Sequence, residues 1–271
     1  MKAEKAVLFI LTLLFAIVIV FPFVYALSAS FFSASDFASS PARFLPSSFS
    51  FRNYQKVLAN RYFLPYIMNS VITGVMSTVI RMIIAVAAAY AFSYYRFRGR
   101  TFLFSLIVLT LFVPSDLLLT GNYLTIYRLG LIDTYLGIIS TSLLPASQIL
   151  MLRQYFCSIP SSIHDSAMMD GAGDGRYILS ILVPVSKAVI STFALQGFIA
   201  MFNSYLWPLL VTNSPSMRTV QIGITMLGYA ESLDYGPVFA AIILIFIPFL
   251  LLFIFMRKRI MEALKQGCMF I

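Results

Sequence analysis

Cysteine, histidine and charged residues are scarce in this sequence. Its 271 residues include two cysteines and one histidine, and only 11% are charged. Cys157 and Cys268 are too few and too far apart for a disulfide framework, so we expect two reduced thiols. His164 has no second histidine or cysteine beside it, so we predict no metal site and expect a solvated loop residue. A Ser/His/Asp catalytic arrangement is not expected around this single histidine.

A phosphate-binding loop of the type G-x-x-x-x-G-K-[ST] is also missing. The chain therefore cannot cradle ATP in that way. Together these absences predict that the chain has no catalytic residues, no metal and no cofactor of its own.

Apolar residues, in contrast, are abundant. They make up 60% of the chain, and the mean hydropathy is +0.91. Several windows of 18 or more nearly uncharged residues are long enough to cross a bilayer as helices. The apolar runs are continuous and lack strand-like alternation, which favours helices over a closed barrel. We predict an all-α membrane protein.

The hydropathy predicts six transmembrane helices, at about 6–27, 65–95, 101–120, 135–156, 185–212 and 237–256, with a break in the fifth at Trp207–Pro208 and an external turn at 121–134. The first run also fits a signal peptide, but it has about twenty residues and a typical apolar region has 7–15, so we predict an uncleaved span. We expect one transmembrane domain over residues 1–271, with its core at about 66–260.

The net charge of +9 follows the ends of the apolar runs and does not form a soluble basic face. We therefore expect no nucleic-acid partner. With both termini in the cytoplasm, the predicted cytoplasmic segments carry Lys2, Lys5, Arg96, Arg98, Arg100, Arg153, Arg176, Lys187, Arg257, Lys258, Arg259 and Lys265, and the external ones carry Arg43, Arg52, Lys56, Arg61, Arg128 and Arg218. This bias agrees with the positive-inside rule.

A polar, glycine-bearing island at 165–184 separates the fourth and fifth predicted spans. Its composition suggests a short helix at 159–169 and then a turn at Gly171, where glycine tolerates positive φ. Pro184 suits the first turn of the next span, since its missing N–H costs little there. An island of this length suggests a surface for docking another protein.

The spacing of this island resembles the cytoplasmic loop of permease subunits of bacterial ATP-binding-cassette importers, E-A-A, three residues, G, nine residues, then I-x-L-P. Asp165, Ser166 and Ala167 stand at the first three positions, Gly171 follows, and Ile181, Val183 and Pro184 end the motif. Asp, Ser and Val replace Glu, Ala and Leu, and the change to Asp165 shortens the acidic arm by one methylene. The similarity covers about 69–267.

The resemblance implies a coupling helix that seats in a groove of an ATPase subunit. The implied docking residues are Asp165, Ser166, Ala167, Met168, Met169, Asp170 and Gly171. The implied partners are a second, homologous permease subunit, two ATP-binding subunits that hold ATP–Mg, and an extracytoplasmic substrate-binding protein. The implied location is the bacterial cytoplasmic (inner) membrane.

Two further stretches, 94–100 and 202–210, are similar to carbohydrate-type permeases, and SYLWPLL is most similar to the glycerol-3-phosphate type. Arg81 lies thirteen residues before Tyr94, about 20 Å into the membrane. An arginine at that depth is costly unless it faces a partner or a watery cavity. It suits a phosphate-bearing substrate, or else a buried ion pair with Asp116 or with a partner's carboxylate.

Asn203, Tyr205 and Trp207 combine hydrogen-bonding groups with an aromatic face, as recognition of a polyol requires. Helix packing and an interfacial anchor are the alternative. With Arg81 and Asp116 they form the predicted substrate pathway.

Glycerol-3-phosphate or a related carbohydrate is the expected solute, and a neutral mono- or oligosaccharide is the alternative. A self-contained secondary transporter would usually show an inverted repeat, and an intramembrane enzyme would need a catalytic constellation; the sequence shows neither.

Overall fold

The computed structural model describes residues 2–39, 43–229, 234–250 and 254, and these residues form helices without a β-strand. In chain order the α-helices are α1 (Lys2–Ala29), α2 (Ala34–Phe37), α3 (Arg52–Ala59), α4 (Phe63–Tyr94), α5 (Arg100–Leu109), α6 (Leu119–Arg128), α7 (Tyr135–Ile139), α8 (Ala146–Ser158), α9 (Ser161–Met169), α10 (Asp174–Tyr177), α11 (Val183–Val185), α12 (Lys187–Phe202), α13 (Leu206–Val211), α14 (Val220–Tyr229) and α15 (Gly236–Leu250). The protein is an all-α membrane protein.

Two helices are each long and apolar enough to cross a membrane unaided. Their spanning parts are Val7–Ala29 within α1, with a mean hydropathy of 3.1, and Phe63–Tyr94, with 2.0. Three further candidates are helix pairs bent by 96°, 53° and 85°. The six-span count stays a prediction, because the last span, expected at 237–256, is described only in part, and the basic cluster Arg257–Arg259 lies outside the described residues.

The third expected span is not a straight helix that ends at Thr120. The chain bends by 96° between Arg100–Phe112 and Ser115–Arg128. Pro114 causes the break, since it has no N–H to continue the helix. The expected external turn at 121–134 is wrong for most of its length, because α6 occupies Leu119–Arg128 and only the residues after it form the turn.

The polar island is also more helical than expected. From Asp174 it continues through α10, a π-helical turn at Ile178–Leu182 and α11, and it then bends by 85° into α12. Tyr177 and Leu182 are fully buried, so this part of the island packs in the core. The fifth span breaks at 203–205, where α12 ends and before α13 begins, and not at Trp207–Pro208.

The chain packs as two compact units, one formed by the described residues up to Ile67 and from Val220 onward, the other by Met68–Thr219. In the first unit, the buried Asn53 amide donates hydrogen bonds to the carbonyls of Ser30 and Phe32. The second unit has two apolar cores: one centres on Ala89, Leu152 and Tyr177 and the other on Ile138, Trp207 and Val211. The second unit contains every predicted site residue, and the prediction of a single domain stays a prediction.

Candidate functional site

A half-buried arginine of α4, Arg81, lies beside α8 and α12. The guanidinium of Arg81 donates a hydrogen bond from Nη2 to Oε1 of Gln148 over 3.1 Å. Gln148 is only 1% exposed, and its Nε2 donates to the carbonyl of Phe193 over 3.4 Å. Gly197 of α12 faces the same pair, since a Cβ there would be in ordinary contact with the Gln148 amide, at 3.4 Å, and with Arg81 Nη1, at 3.8 Å. Gln148 is a site residue that the sequence reasoning missed.

No carboxylate neutralises Arg81 among the described residues. The ion pairs between described residues join Arg43 to Asp36, Lys56 to Asp234 and His164 to Asp165, and none of them involves Arg81. The alternative pair of Arg81 with Asp116 is therefore wrong.

Two buried polar atoms at this site lack a hydrogen-bond partner: Nε of Arg81 itself and Oγ1 of the neighbouring Thr78. A Cβ on Gly197 would lie 3.8 Å from each of Thr78 Oγ1 and Arg81 Nη1, so these groups surround one point on α12. Unpaired buried donors of this kind are costly in an apolar interior. The arrangement is suited to donate hydrogen bonds to oxygen atoms of a ligand or of water.

Three of the five predicted pathway residues meet at one cavity of about 400 Å³. It lies where the chain bends before α6 and breaks before α13. Asp116, Asn122, Thr141 and Ser204 give it polar groups, and Tyr205 and Trp207 give it aromatic surface. Arg81 does not line this cavity, and neither does Asn203, which ends α12.

Trp207 has a packing role as well as its place at the cavity. The residue is 7% exposed, and its indole Nε1 donates a hydrogen bond to the carbonyl of Gly137 over 3.1 Å. This bond fixes the orientation of the ring. Tyr205, by contrast, is 40% exposed, so its side chain is the more accessible aromatic group.

The island helix α9 has one face toward its own protein and one face outward. Ala167 is buried, and Met168 packs against the same core as Tyr177. Met169 is 81% exposed, and Asp165 and Ser166 are exposed beside it. The outward face available for docking therefore carries an acidic group, a small hydroxyl group and the large apolar side chain of Met169.

The end of α9 is fixed by Gly171, as expected. Its φ is +77°, the left-handed region that favours glycine. The N–H of Gly171 donates to the carbonyl of Met168, and the N–H of Ala172 donates to the carbonyl of Ala167 over 2.9 Å. These two bonds form a Schellman motif, which satisfies the last carbonyls of the helix and turns the chain toward α10.

His164 is not the solvated loop residue that we expected. Its side chain is 19% exposed, and its ring stacks on the ring of Tyr94 with 4.6 Å between centroids. The Tyr90 hydroxyl lies 3.3 Å from Nε2 of His164 and donates to Oδ1 of Asp174 over 2.7 Å. Tyr95 donates to the other oxygen of the same carboxylate. Tyr90, Tyr94, His164 and Asp174, here called the tyrosine latch, join α4 to α9 and α10.

One sequence signal pointed toward the tyrosine latch. Tyr90 and Tyr94 are four residues apart on α4 and therefore share one helical face. The partners of Tyr90 lie 74 and 84 residues away, so the sequence alone did not identify His164 or Asp174.

Apolar helices that surround a half-buried arginine and a polar cavity define a polytopic α-helical membrane protein. The family model for the binding-protein-dependent transport system inner membrane component matches residues 82–265. The chain belongs to this family, whose members are permease subunits of ATP-binding-cassette importers and not enzymes themselves.

Several sugar permeases are similar to this chain over nearly its whole length. The sn-glycerol-3-phosphate transport system permease protein UgpE of Brucella abortus is 30% identical and covers 92% of each chain. The diacetylchitobiose uptake system permease protein NgcG of Streptomyces coelicolor is 28% identical over 95% of this chain and 86% of its own. The trehalose/maltose transport system permease protein MalG of Thermococcus litoralis is 31% identical over 98% of this chain and 97% of its own. A chain of a bacterial transporter involved in the import of the acidic polysaccharide alginate superposes with a TM-score of 0.80 at 26% identity, over 95% of this chain and 96% of that one.

Proposed function

We propose that this sugar-importer permease subunit carries sn-glycerol-3-phosphate or a closely related anionic carbohydrate. Arg81 is the observation that supports this proposal. It is a cation inside an apolar helix bundle, with no anionic partner among the described residues and with one donor left unpaired.

A charged arginine at the centre of a membrane costs at least about 2.5–3.5 kcal/mol. A substrate phosphate would offset this cost during transport, because guanidinium groups bind phosphate through two parallel hydrogen bonds. Similarity to the glycerol-3-phosphate permeases of Brucella agrees with this chemistry, and the alginate importer has an acidic solute too.

A neutral mono- or oligosaccharide is the second candidate solute. The cavity at Asp116 favours it, since a carboxylate, an amide and hydroxyl groups beside aromatic rings are suited to sugar hydroxyls and would repel a phosphate. The relatives that carry diacetylchitobiose and trehalose or maltose support this alternative equally well.

The outward face of α9 is proposed to dock the ATPase. In this account a second, homologous permease subunit completes the pore, two ATP-binding subunits hold ATP–Mg, and an extracytoplasmic binding protein delivers the solute. Both termini lie in the cytoplasm of a bacterium, as the distribution of lysine and arginine predicts. The tyrosine latch would connect the docked ATPase to α4, the helix that carries Arg81.

Uptake in cells tests the choice of solute. Cells carrying this chain and its partner subunits take up labelled glycerol-3-phosphate, with neutral sugars added as competitors. Arg81→Ala is expected to abolish uptake while the complex still assembles. Arg128→Ala removes an equal charge at an exposed position and is expected to leave uptake unchanged. Uptake of neutral sugars alone would contradict the anionic solute and support the second candidate.

The two neighbouring methionines test the docking surface. Met169→Ala removes the exposed side chain and is expected to reduce the amount of ATPase that copurifies with the permease. Met168→Ala is the same chemical change on the inward face, and it is expected to lower the thermal stability of the permease. Equal ATPase recovery from the wild type and Met169→Ala would contradict the proposed surface.

A further inference from the structure

A basic groove lies at the junction of α4 and α5, outside the sites described above. It has a volume of about 330 Å³ and is lined by Arg96, Phe97, Gly99, Arg100, Thr101 and Phe102. Gly99 has a φ of +83°, which allows the sharp change of direction between the two helices. The groove therefore combines two arginines, one hydroxyl and two aromatic rings within seven residues of chain.

None of the described residues neutralises the positive charge of the groove. No ion pair among the described residues involves Arg96 or Arg100. Arg100 donates one hydrogen bond to the carbonyl of Phe92, which holds its side chain against the end of α4. Arg96 is exposed and makes no such contact with any described residue. The groove thus contains one arginine held in place, Arg100, and one exposed arginine, Arg96. Together their charges are complementary to a phosphate.

An apolar stripe continues from the groove along α5. Phe102, Leu106 and Leu109 are spaced four and three residues apart, so they share one helical face. Their exposed fractions are 69%, 51% and 60%. Phe97, at 41% exposure, lies at the start of the same surface. A soluble phosphate would leave this apolar stripe uncovered, whereas the acyl chain of a lipid would pack against it.

We propose that this groove binds an anionic phospholipid. The lipid phosphate lies between Arg96 and Arg100, within reach of the Thr101 hydroxyl, and one acyl chain runs along the stripe from Phe102 to Leu109. Two features decide for a lipid over another protein: the basic residues stand at the end of an apolar helix, where headgroups lie, and the stripe leads from there into the hydrocarbon. The inference needs only that the turn between α4 and α5 lies at the membrane surface and that α5 leads into the bilayer, and it does not depend on the solute.

Lipid binding to the complete transporter tests the proposal. The complex is purified in detergent and titrated with phosphatidylglycerol or phosphatidylcholine, and bound lipids are counted by native mass spectrometry. Arg96→Ala is expected to weaken phosphatidylglycerol binding about fivefold. Arg98→Ala is the matched control, since it removes an equal charge two residues away but does not line the groove. Phe102→Ala should weaken binding of long-chain phosphatidylglycerol without changing that of a short-chain, soluble form.

Three results would overturn the proposal. Equal losses from Arg96→Ala and Arg98→Ala would mean a diffuse attraction without a built site. Phosphatidylcholine binding as strong as that of phosphatidylglycerol would mean that the groove does not select for the charge of the headgroup. Displacement of the bound lipid by millimolar glycerol phosphate would assign the groove to a free phosphate.

Discussion

Substitutions at Gln148 separate the structural role of the Arg81 site from its role in recognising a solute. In Gln148→Leu, a side chain of similar volume replaces the amide, and the guanidinium of Arg81 loses its 3.1 Å acceptor. A hydrogen bond to a charged group contributes about 1.5–3 kcal/mol, so we expect a clear fall in the free energy of unfolding of the permease. Glycerol-3-phosphate could still bind, because the charge of Arg81 is unchanged.

Gln148→Glu makes the opposite change, since it gives Arg81 a carboxylate and neutralises it. We expect a stability close to that of the wild type, because a buried ion pair roughly offsets its own desolvation. A carboxylate about 5 Å from a substrate phosphate repels it by about 3 kcal/mol at an effective dielectric constant of about 20. That energy corresponds to a loss of affinity of about a hundredfold.

The assay is uptake of labelled glycerol-3-phosphate into vesicles that contain the assembled transporter, next to a thermal denaturation curve of each variant. Gln148→Leu should be less stable but active, and Gln148→Glu should be stable but inactive. Undiminished uptake by Gln148→Glu would refute the assignment of Arg81 to the substrate anion.

Three further predictions concern the latch, the docking helix and the turn that contains Asp133. Tyr90→Phe removes the 2.7 Å hydrogen bond to Asp174, so vesicle assays should show less solute transported per ATP hydrolysed, with assembly unchanged; an unchanged ratio would contradict a role in coupling. Gly171→Ala puts a side chain at φ +77°, which costs about 1–2 kcal/mol, so less ATPase should copurify, whereas full recovery would show that the turn does not set the docking helix. Burial raises the pKa of Asp133, but hydrogen bonds chiefly from Ser214 outweigh this effect and lower its pKa below the ordinary value. Its contribution to stability is therefore present above about pH 4 and lost as the pH falls through the lowered native pKa, and Asp133→Asn should remove this part of the pH dependence of the thermal midpoint.

The sequence predicted the features that depend on local pattern. Long apolar runs identify α1 and α4 because a bilayer requires continuous apolar helices. The spacing of the island indicated α9, and Gly171 indicated its end, because both signals lie within a few residues. The 96° bend was missed, since Pro114 lies inside the apolar run that was predicted as the third span.

Contacts between distant helices were beyond the sequence. A single histidine in a polar island gives no sign that it stacks on Tyr94, because that contact depends on how α9 packs. The cavity brought Asp116 and Trp207 together, as a common pathway requires, but excluded Arg81. Gln148 is a polar residue inside the predicted fourth span, and it was therefore a sequence signal for the Arg81 site. The sequence reasoning did not use it.

The most direct test of the central claim is transport by the complete complex in sealed vesicles. The wild-type permease, its partner permease, the ATPase and the binding protein are reconstituted with ATP on the ATPase side, and labelled glycerol-3-phosphate is compared with a labelled neutral disaccharide. We predict ATP-dependent accumulation of glycerol-3-phosphate that Arg81→Ala abolishes. Accumulation of the disaccharide alone, with Arg81→Ala as active as the wild type, would contradict the anionic-solute account.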